Sequence, residues 1–219
     1  VWYGGMARGI SANGEIIYGT SWENWDFGML YWVNNGANTE KPKWVGEDVR
    51  EVWEETMKNS DGTEYTTHLV NGLICQAQLT KISPNGKWIA SSYRTETPAE
   101  DRLSIVTTQT AAFYNTETET TTIVSDYGES VGVHVTDDGI GFIGIGTLGI
   151  SSGAVYDLNT GTDLGSTQDW VYDNYGIIIP AGYINYVSAD GRFVLGTKAE
   201  SSAGGVNFIN WYIAPPVAK

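Results

Sequence analysis

A short phrase that recurs four times constrains what this chain can fold into. The copies occupy residues 9–19, 81–91, 134–144 and 186–196. Each contains an apolar residue, Ser or Thr, a spacer, Asn or Asp, Gly, and then a short apolar run. Asn-Gly and Asp-Gly favour the positive φ angles of a tight hairpin turn, and the apolar residues on either side favour strands. The phrase therefore predicts four copies of strand, turn and strand.

The spacing of these copies indicates the architecture. The turn glycines lie 72, 53 and 52 residues apart, taken as differences between the numbers of Gly14, Gly86, Gly139 and Gly191. A unit of about 50 residues is the size of one four-stranded propeller blade. We therefore predict an all-β fold, a β-propeller formed by residues 1–219 as a single domain. Its four blade repeats are expected at about residues 1–70, 71–128, 129–182 and 183–219.

Two features leave alternatives to a closed ring of four blades. The first repeat is longer than the others, so residues 46–80 could form a fifth, degenerate blade. The fourth repeat has no room for a fourth strand after Pro215 and Pro216. Either residues 1–3 complete the last blade, or the ring is incomplete and the chain is part of a larger propeller.

Two segments predict one or two short helical insertions. Residues 47–57 carry apolar side chains at helical spacing, with acidic residues at the start that suit the positive end of a helix dipole. Residues 167–176 resemble a shorter helix, with Thr167 as the N-cap and Gly176 as the stop.

Composition narrows the classes of partner. The 27 glycines, 13 tyrosines and 9 tryptophans, with only 17% charged residues, fit a turn-rich β protein. A formal net charge of -14 argues against nucleic acid, whose binding depends on Lys and Arg meeting phosphates. Cys75 is the single cysteine, so no internal disulfide can form. There is no apolar run near the length of a membrane span, so we expect no membrane insertion.

The repeated phrase resembles the HAF-type extracellular repeats of bacterial surface and autotransporter-like proteins, a Ser-x-Asp-Gly pattern followed by a strand of small and aromatic residues. The similarity is greatest towards the end of the chain, at residues 169–176, 187–192 and 204–206. The first two copies depart from it, with Asn in place of Asp. This resemblance implies a propeller-like fold and an exported, extracellular or cell-surface setting. It implies no catalytic residues, because the family pattern is structural.

Candidate ligand-binding residues lie in the loops that differ between copies. In a propeller blade, the loops between the second and third strands open on the face that usually carries ligands. The first such loop combines two Trp with acidic side chains, a composition suited to stacking on sugar rings and bonding their hydroxyls. The second, at residues 93–102, is longer than its counterparts and strongly charged, as functional loops often are. The candidates are Trp22, Glu23, Trp25, Asp26, Arg94, Glu96, Asp101 and Arg102.

A metal or cofactor is not expected. Asp157, Asn159 and Asp163 place oxygen atoms at alternate positions, as calcium loops do, but no bidentate Glu follows, so a turn is favoured over calcium. His68 and His134 are too few for a zinc site without carboxylates that the sequence cannot place. We interpret His134, which begins a repeat strand, as a core or edge residue.

These observations favour an exported or cell-surface binding module for a carbohydrate or glycoconjugate, such as a surface polysaccharide. One alternative is a structural or protein-interaction repeat, favoured by the missing fourth strand of the last repeat. The other is a glycan-active enzyme in which two of the carboxylates Glu23, Asp26, Glu96 and Asp101 serve as general acid and base.

Overall fold

The computed structural model describes residues 5–23, 26–34, 41–75, 79–146, 152–202 and 205–214. These residues form seventeen strands in four antiparallel sheets, which confirms the all-β prediction. The first sheet contains β1 (Gly5–Ile10), β2 (Ile16–Glu23), β3 (Asp26–Val33) and β4 (Lys43–Trp44), in that order. The second contains β5 (Glu51–Lys58), β6 (Glu64–Ile74), β7 (Lys81–Ile82), β8 (Trp88–Pro98), β9 (Ile105–Asn115) and β10 (Thr120–Val124), in the order β10-β9-β8-β6-β5 with β7 also on β8.

The other two sheets are simpler. The third contains β11 (Ser130–Val135), β12 (Ile140–Ile145), β13 (Ser152–Asp157) and β14 (Thr162–Ser166), followed by the helix α1 (Thr167–Tyr175). The fourth contains β15 (Tyr183–Val187), β16 (Val194–Ser202) and β17 (Gly205–Ile213). Residues 1–3, one of the two alternatives for completing the last blade, lie outside the described residues. In the part of the chain that is described, no helix is long and apolar enough to cross a membrane.

The repeated phrase forms a hairpin in every sheet, as predicted: β1–β2, β7–β8, β11–β12 and β15–β16. The four turn glycines have φ angles of 76°, 81°, 85° and 67° in chain order. In the second copy the buried Ser83 hydroxyl donates to Asn85 Oδ1 at 2.8 Å and accepts from the Trp88 amide at 3.0 Å. Ser11 and Ser188 make the same two bonds in their own turns. The Ser and Asn or Asp of the phrase thus bond the polar groups that the tight turn leaves without strand partners.

Neighbouring turns are also bonded to one another. Asn13 Nδ2 donates to the Asn85 carbonyl at 2.9 Å, which joins the first turn to the second. The Asn85 amide donates to Asp137 Oδ1 at 2.8 Å, which joins the second turn to the third. The turns therefore align the first three sheets at one end.

Apolar faces stack the sheets in chain order. One buried cluster joins the first and second sheets and includes Tyr31 and Tyr114, whose rings lie 5.8 Å apart. A second cluster joins the second and third sheets through Phe113 and Ile143, and a third joins the third and fourth through Phe142 and Ile184. The core is therefore a series of layers between consecutive sheets.

The predicted helix at residues 47–57 is wrong. Only residues Glu47–Val49 form a 3-10 turn, and Glu51–Lys58 is strand β5, paired with β6 from Glu51↔Asn71 to Lys58↔Glu64. Trp53 and Met57 are the more buried positions of the strand, which fits a period of two. The Asn59–Thr63 turn, with Gly62 at a φ of 86°, closes a long hairpin that decides the conformation.

The predicted helix at residues 167–176 is confirmed as α1. Its N-cap is Ser166, whose hydroxyl accepts a bond from the Asp169 amide at 3.1 Å, so Thr167 is the first helical residue and not the cap. Gly176 ends the helix with a φ of 67°, as predicted.

Candidate functional site

The second sheet extends beyond the others through two long hairpins. Residues 93–102, which were expected to be a long loop, are mostly strand: β8 runs to Pro98 and pairs with β9 as far as Pro98↔Ile105. Only residues 99–104 form the turn. The hydroxyls of Thr95 and Thr108 share a hydrogen bond of 2.6 Å between β8 and β9. Alternating Thr side chains therefore stabilise a strand in a segment whose charged residues had led us to predict a loop.

The hairpin of β5 and β6 joins this extension. The end of β6 pairs with β8 from Gly72↔Arg94 to Ile74↔Ser92, so residues 51–74, where a fifth blade was the alternative, belong to the second sheet. One face of this extended sheet lies opposite β3 of the first sheet.

A cavity of about 370 Å³ lies between this face and the first sheet. Its lining comes from β3, β6 and β8, and includes Gly28, His68, Gly72, Arg94 and Glu96. The cavity lies at the end of the sheets where β2 leads into β3 and β8 leads into β9. Its volume is within the range of roughly 300–1,000 Å³ that is typical of small-molecule sites. We call it the junction pocket.

A row of two arginines and one glycine crosses the floor of the junction pocket. Gly72 pairs directly with Arg94 on β8, so these residues share a face of the sheet. On the other side of Gly72, Arg50 lies one residue before β5, and its Cγ would be 3.5 Å from a Cβ at Gly72. The row Arg50–Gly72–Arg94 therefore places two arginine residues on either side of a glycine.

Each arginine is held by a neighbour. The Arg50 guanidinium carbon lies 4.2 Å from the centre of the Trp44 ring, a cation–π contact with the first sheet. Arg94 Nη2 forms an ion pair with Glu96 Oε1, and Glu96 Oε2 accepts from the Val70 amide at 3.0 Å. Glu96 has only 12% of its side chain exposed, so both of its oxygens are committed within the sheet.

Arg94 retains unused bonding capacity. Its side chain is 37% exposed, and its Nε is buried with no acceptor among the described residues. A buried donor without a partner is costly, by about 1–3 kcal/mol. An oxygen atom brought by a ligand would reduce this cost.

Among the predicted site residues whose side chains the structure describes, Arg94 and Glu96 lie together in the junction pocket. Arg102 lies at the tip of the β8–β9 hairpin and donates from Nη1 to Glu55 Oε1 at 2.6 Å and to the Thr56 carbonyl at 2.7 Å. This contact lowers the pKa of the Glu55 carboxyl. Asp101 bonds the Leu103 amide within the same turn. Both residues stabilise the hairpins outside the pocket.

The remaining candidates come from the loop after β2. Trp22 and Glu23 end β2 and Asp26 begins β3, with the pairs Trp22↔Phe27 and Glu23↔Asp26. Their side chains, and the whole of Trp25, lie outside what the structure describes. Gly28, two residues after Asp26, lines the junction pocket.

Sequence reasoning missed Arg50, His68 and Gly72 as pocket residues. They come from a segment that was expected to be partly helical, and only the pairing of β6 with both β5 and β8 places them in one row. Among the lining residues that the structure describes, Glu96 is the one carboxylate.

The calcium candidates serve a turn. Asp157 Oδ1 accepts from the Asn159 amide at 2.9 Å, and its Oδ2 accepts from the Thr160 hydroxyl at 2.8 Å, which lowers the pKa of the carboxyl. Asp163 Oδ1 accepts from the Gly165 amide at 2.7 Å. In the described ranges, no three His, Cys, Asp or Glu side chains are grouped to hold a metal ion.

A second cavity, of about 410 Å³, lies at the opposite end, between the third and fourth turns and helix α1. Trp170 and Tyr175 line it together with Asp138 and Asp190. Both carboxylates already accept hydrogen bonds from the hydroxyls of their own turns. Asp138 and Asp190 therefore stabilise the third and fourth turns.

His134 is buried between the third and fourth sheets, which confirms its interpretation as a core residue. Its Nε2 accepts from the Val187 amide at 3.0 Å, so the ring is neutral with its proton on Nδ1. Burial, with Lys81 nearby, lowers its pKa to about 4. The ring stacks on Phe142 at 5.7 Å and lies 5.4 Å from Tyr186.

Comparison with solved structures places this architecture among known folds. TolB from Acinetobacter baumannii, a β-propeller, matches 96% of this chain with a TM-score of 0.51 and 11% sequence identity. The chain spans 41% of the length of that protein. At this identity the likeness concerns the fold alone. No family model and no curated protein matches the chain.

Proposed function

We propose that this chain is an exported or cell-surface binding module that holds a carbohydrate or glycoconjugate in the junction pocket. The observation that carries the proposal is the pocket itself: a cavity of about 370 Å³ that is lined by Arg94, Glu96 and Gly28, and Gly28 closely follows the Trp- and carboxylate-rich segment 22–26 in the sequence. Aromatic faces with nearby polar groups suit sugar rings and hydroxyls.

We further propose that the four sheets are four blades of a propeller. The same hairpin recurs in each sheet, and the sheets stack in chain order through three apolar clusters. The likeness to a β-propeller of more than twice this length supports a segment of a larger propeller over a closed four-blade ring. The exported setting rests on the resemblance of the phrase to extracellular repeats.

Replacing Arg94 with Gln is expected to weaken binding of any glycan that the protein captures on a glycan array by about 10- to 100-fold. Loss of a charged donor to a ligand costs about 1.5–3 kcal/mol, which corresponds to that factor. Isothermal titration calorimetry of both proteins measures the change. Because the substitution also removes the ion partner of Glu96, a thermal melt must show that the variant is folded.

The matched control is Arg192→Gln, which removes an arginine from the fourth turn, away from the pocket. It should leave the dissociation constant unchanged. Equal affinity of the Arg94 variant and the natural protein would contradict the proposal, as would a lack of binding across an array of neutral and acidic glycans.

A second function, assembly through the fourth sheet, is favoured by its exposed aromatic face. Trp211 and Ile213 of β17 pack on the core cluster, so the alternate residues Phe208 and Tyr212 face away from it. Tyr212 is 70% exposed and stacks on Phe193 at 6.1 Å, and Phe208 is 57% exposed. We propose that a sheet of the same kind, from a second copy of the chain, covers this face.

Replacing Phe208 and Tyr212 together with Ser is expected to abolish self-association. Sedimentation velocity over a range of concentrations should show a dimer of the natural protein at high concentration and a monomer of the variant, because apolar burial drives such contacts. Tyr172→Ser is the control, since Tyr172 is 58% exposed on α1, outside this face. A natural protein that is monomeric at every concentration would contradict this proposal.

A further inference from the structure

We infer that two copies of the chain join edge to edge, with β17 of one copy hydrogen-bonded antiparallel to β17 of the other in one continuous six-stranded sheet. This inference rests on the assembly through the fourth sheet proposed above. It concerns a different contact of that sheet, the edge of β17 instead of its aromatic face. It is carried by the uncharged edge of this strand and by a sequence that is complementary to itself.

β17 ends the fourth sheet as a long edge strand. In the described part of the chain it pairs with β16, from Ser202↔Gly205 to Val194↔Ile213, and with no strand on its other side. The other three sheets carry a further strand at the corresponding place, which is β4, β10 or β14. The outer backbone N–H and C=O groups of β17 are therefore open to pairing with another strand.

Other edge strands are protected against such pairing, whereas β17 is not. β5 carries four charged residues among its eight. At the edge of β10, the Thr121 amide already donates to Asp48 Oδ2 at 2.7 Å. β17 has nine residues and no charged side chain. Because charges and covering groups are the usual means by which edge strands avoid association, a long uncharged edge marks a pairing site.

The sequence of β17 is complementary to itself in one register. A two-fold axis through Asn210 places Phe208 opposite Tyr212 of the second copy, and Tyr212 opposite the Phe208 of that copy. On the other face, Ile209 lies opposite Trp211 of the second copy. Pairs of aromatic or large apolar side chains on neighbouring strands stabilise an antiparallel sheet. This pattern favours a second copy of the chain as the partner of the edge.

Asn210 supplies a polar pair at the centre of this register. Its Oδ1 accepts from the Thr197 hydroxyl at 2.8 Å, and its Nδ2 has no acceptor among the described residues. Opposite its counterpart, this Nδ2 can donate to the Oδ1 of the second copy. A shift of two residues would instead place each amide group opposite Phe208 or Tyr212, so the pair of asparagines fixes the register.

Asn210→Asp tests the pairing without changing the shape of the side chain. It keeps the acceptor for Thr197 but places two carboxylates opposite each other. The dissociation constant of the dimer at pH 7 should rise by at least about tenfold, as measured by sedimentation velocity of the intact protein over a range of concentrations. The matched control, Asn174→Asp, adds the same charge at an exposed position of α1 and should leave the constant unchanged.

Cysteine cross-linking tests the register directly. In Asn210→Cys the two new thiols would lie on neighbouring strands, where Cα atoms about 4.5–5.5 Å apart can be bridged by a disulfide. In Asn207→Cys each thiol would lie opposite Ile213 of the second copy, roughly 20 Å along the strand from the other thiol and too far to be bridged. Mild oxidation should give a covalent dimer of the first variant only. The natural protein, with Cys75, gives the background.

The outcomes separate this inference from assembly in general. A dimer that Asn210→Asp leaves intact, or that cross-links no better at position 210 than at position 207, overturns the inference while assembly through the aromatic face stands. A natural protein that is monomeric at every concentration contradicts both. A monomer is also the result expected if residues 1–3 complete the fourth sheet.

Discussion

Replacing Gly132 with Ala is expected to lower the free energy of unfolding by about 1–3 kcal/mol, because the third sheet approaches the second too closely there to accept a side chain. A Cβ on Gly132 would lie 2.7 Å from the Ser91 carbonyl oxygen and 2.9 Å from that of Ala112. Both neighbours are backbone atoms of buried strands, so neither can move without shifting a sheet. Urea denaturation of the natural protein and the variant measures the difference.

Gly72→Ala is the matched control, since it adds the same methyl group to a buried strand of the second sheet where there is room for it. Its stability should stay within about 0.5 kcal/mol of the natural protein. If Gly132→Ala is as stable as Gly72→Ala, the second and third sheets are not packed as closely as described, and the stacked arrangement of sheets is contradicted.

The protein is expected to lose about 2 kcal/mol of stability between pH 7 and pH 5 through His134 alone. In the folded state the pKa of His134 is about 4, whereas the ordinary value is 6.5. Between these values the unfolded chain binds more protons than the folded chain, so stability is full above about pH 6.5 and falls as the pH drops towards 4. Protonation would place a second N–H against the Val187 amide and break the bond between the third and fourth sheets.

His134→Gln tests this directly, because the Gln carbonyl can accept from the Val187 amide without titrating. The variant should show about 2 kcal/mol less dependence on pH over this range when urea denaturation is repeated at pH 7 and pH 5. His68→Gln, which makes the same substitution at an exposed position of β6, is the matched control. The same pH dependence in the His134 variant would show that this ring does not titrate as described.

The hairpins were predictable from the sequence because their stabilising contacts are local. Ser83, Asn85 and Gly86 supply the hydroxyl, the acceptor and the positive φ angle of one turn within four residues. The same is true of α1, where Ser166 and Gly176 mark the two ends. Turns and helix ends of this kind can be predicted from residues that are close together in the sequence.

The β5 strand and the junction pocket were not predictable in the same way. In residues 47–57 the apolar spacing fits a helix, but pairing with β6 through eight positions outweighs it. The pocket needs Arg50, Gly72 and Arg94 in one row, and residues so distant in sequence are aligned only by the register of three strands. Arg94 and Glu96 were identified because their charge stood out, whereas Gly72 gave no such signal.

The most direct test of the proposed function is hydrogen exchange measured by mass spectrometry, with and without the glycan that binds most tightly on the array. Binding in the junction pocket predicts slower amide exchange in residues 68–74 and 94–96, and unchanged exchange in residues 136–140 and 188–191 around the second cavity. Slower exchange confined to the second cavity, or no change in either region, would contradict the assignment of the junction pocket as the ligand site.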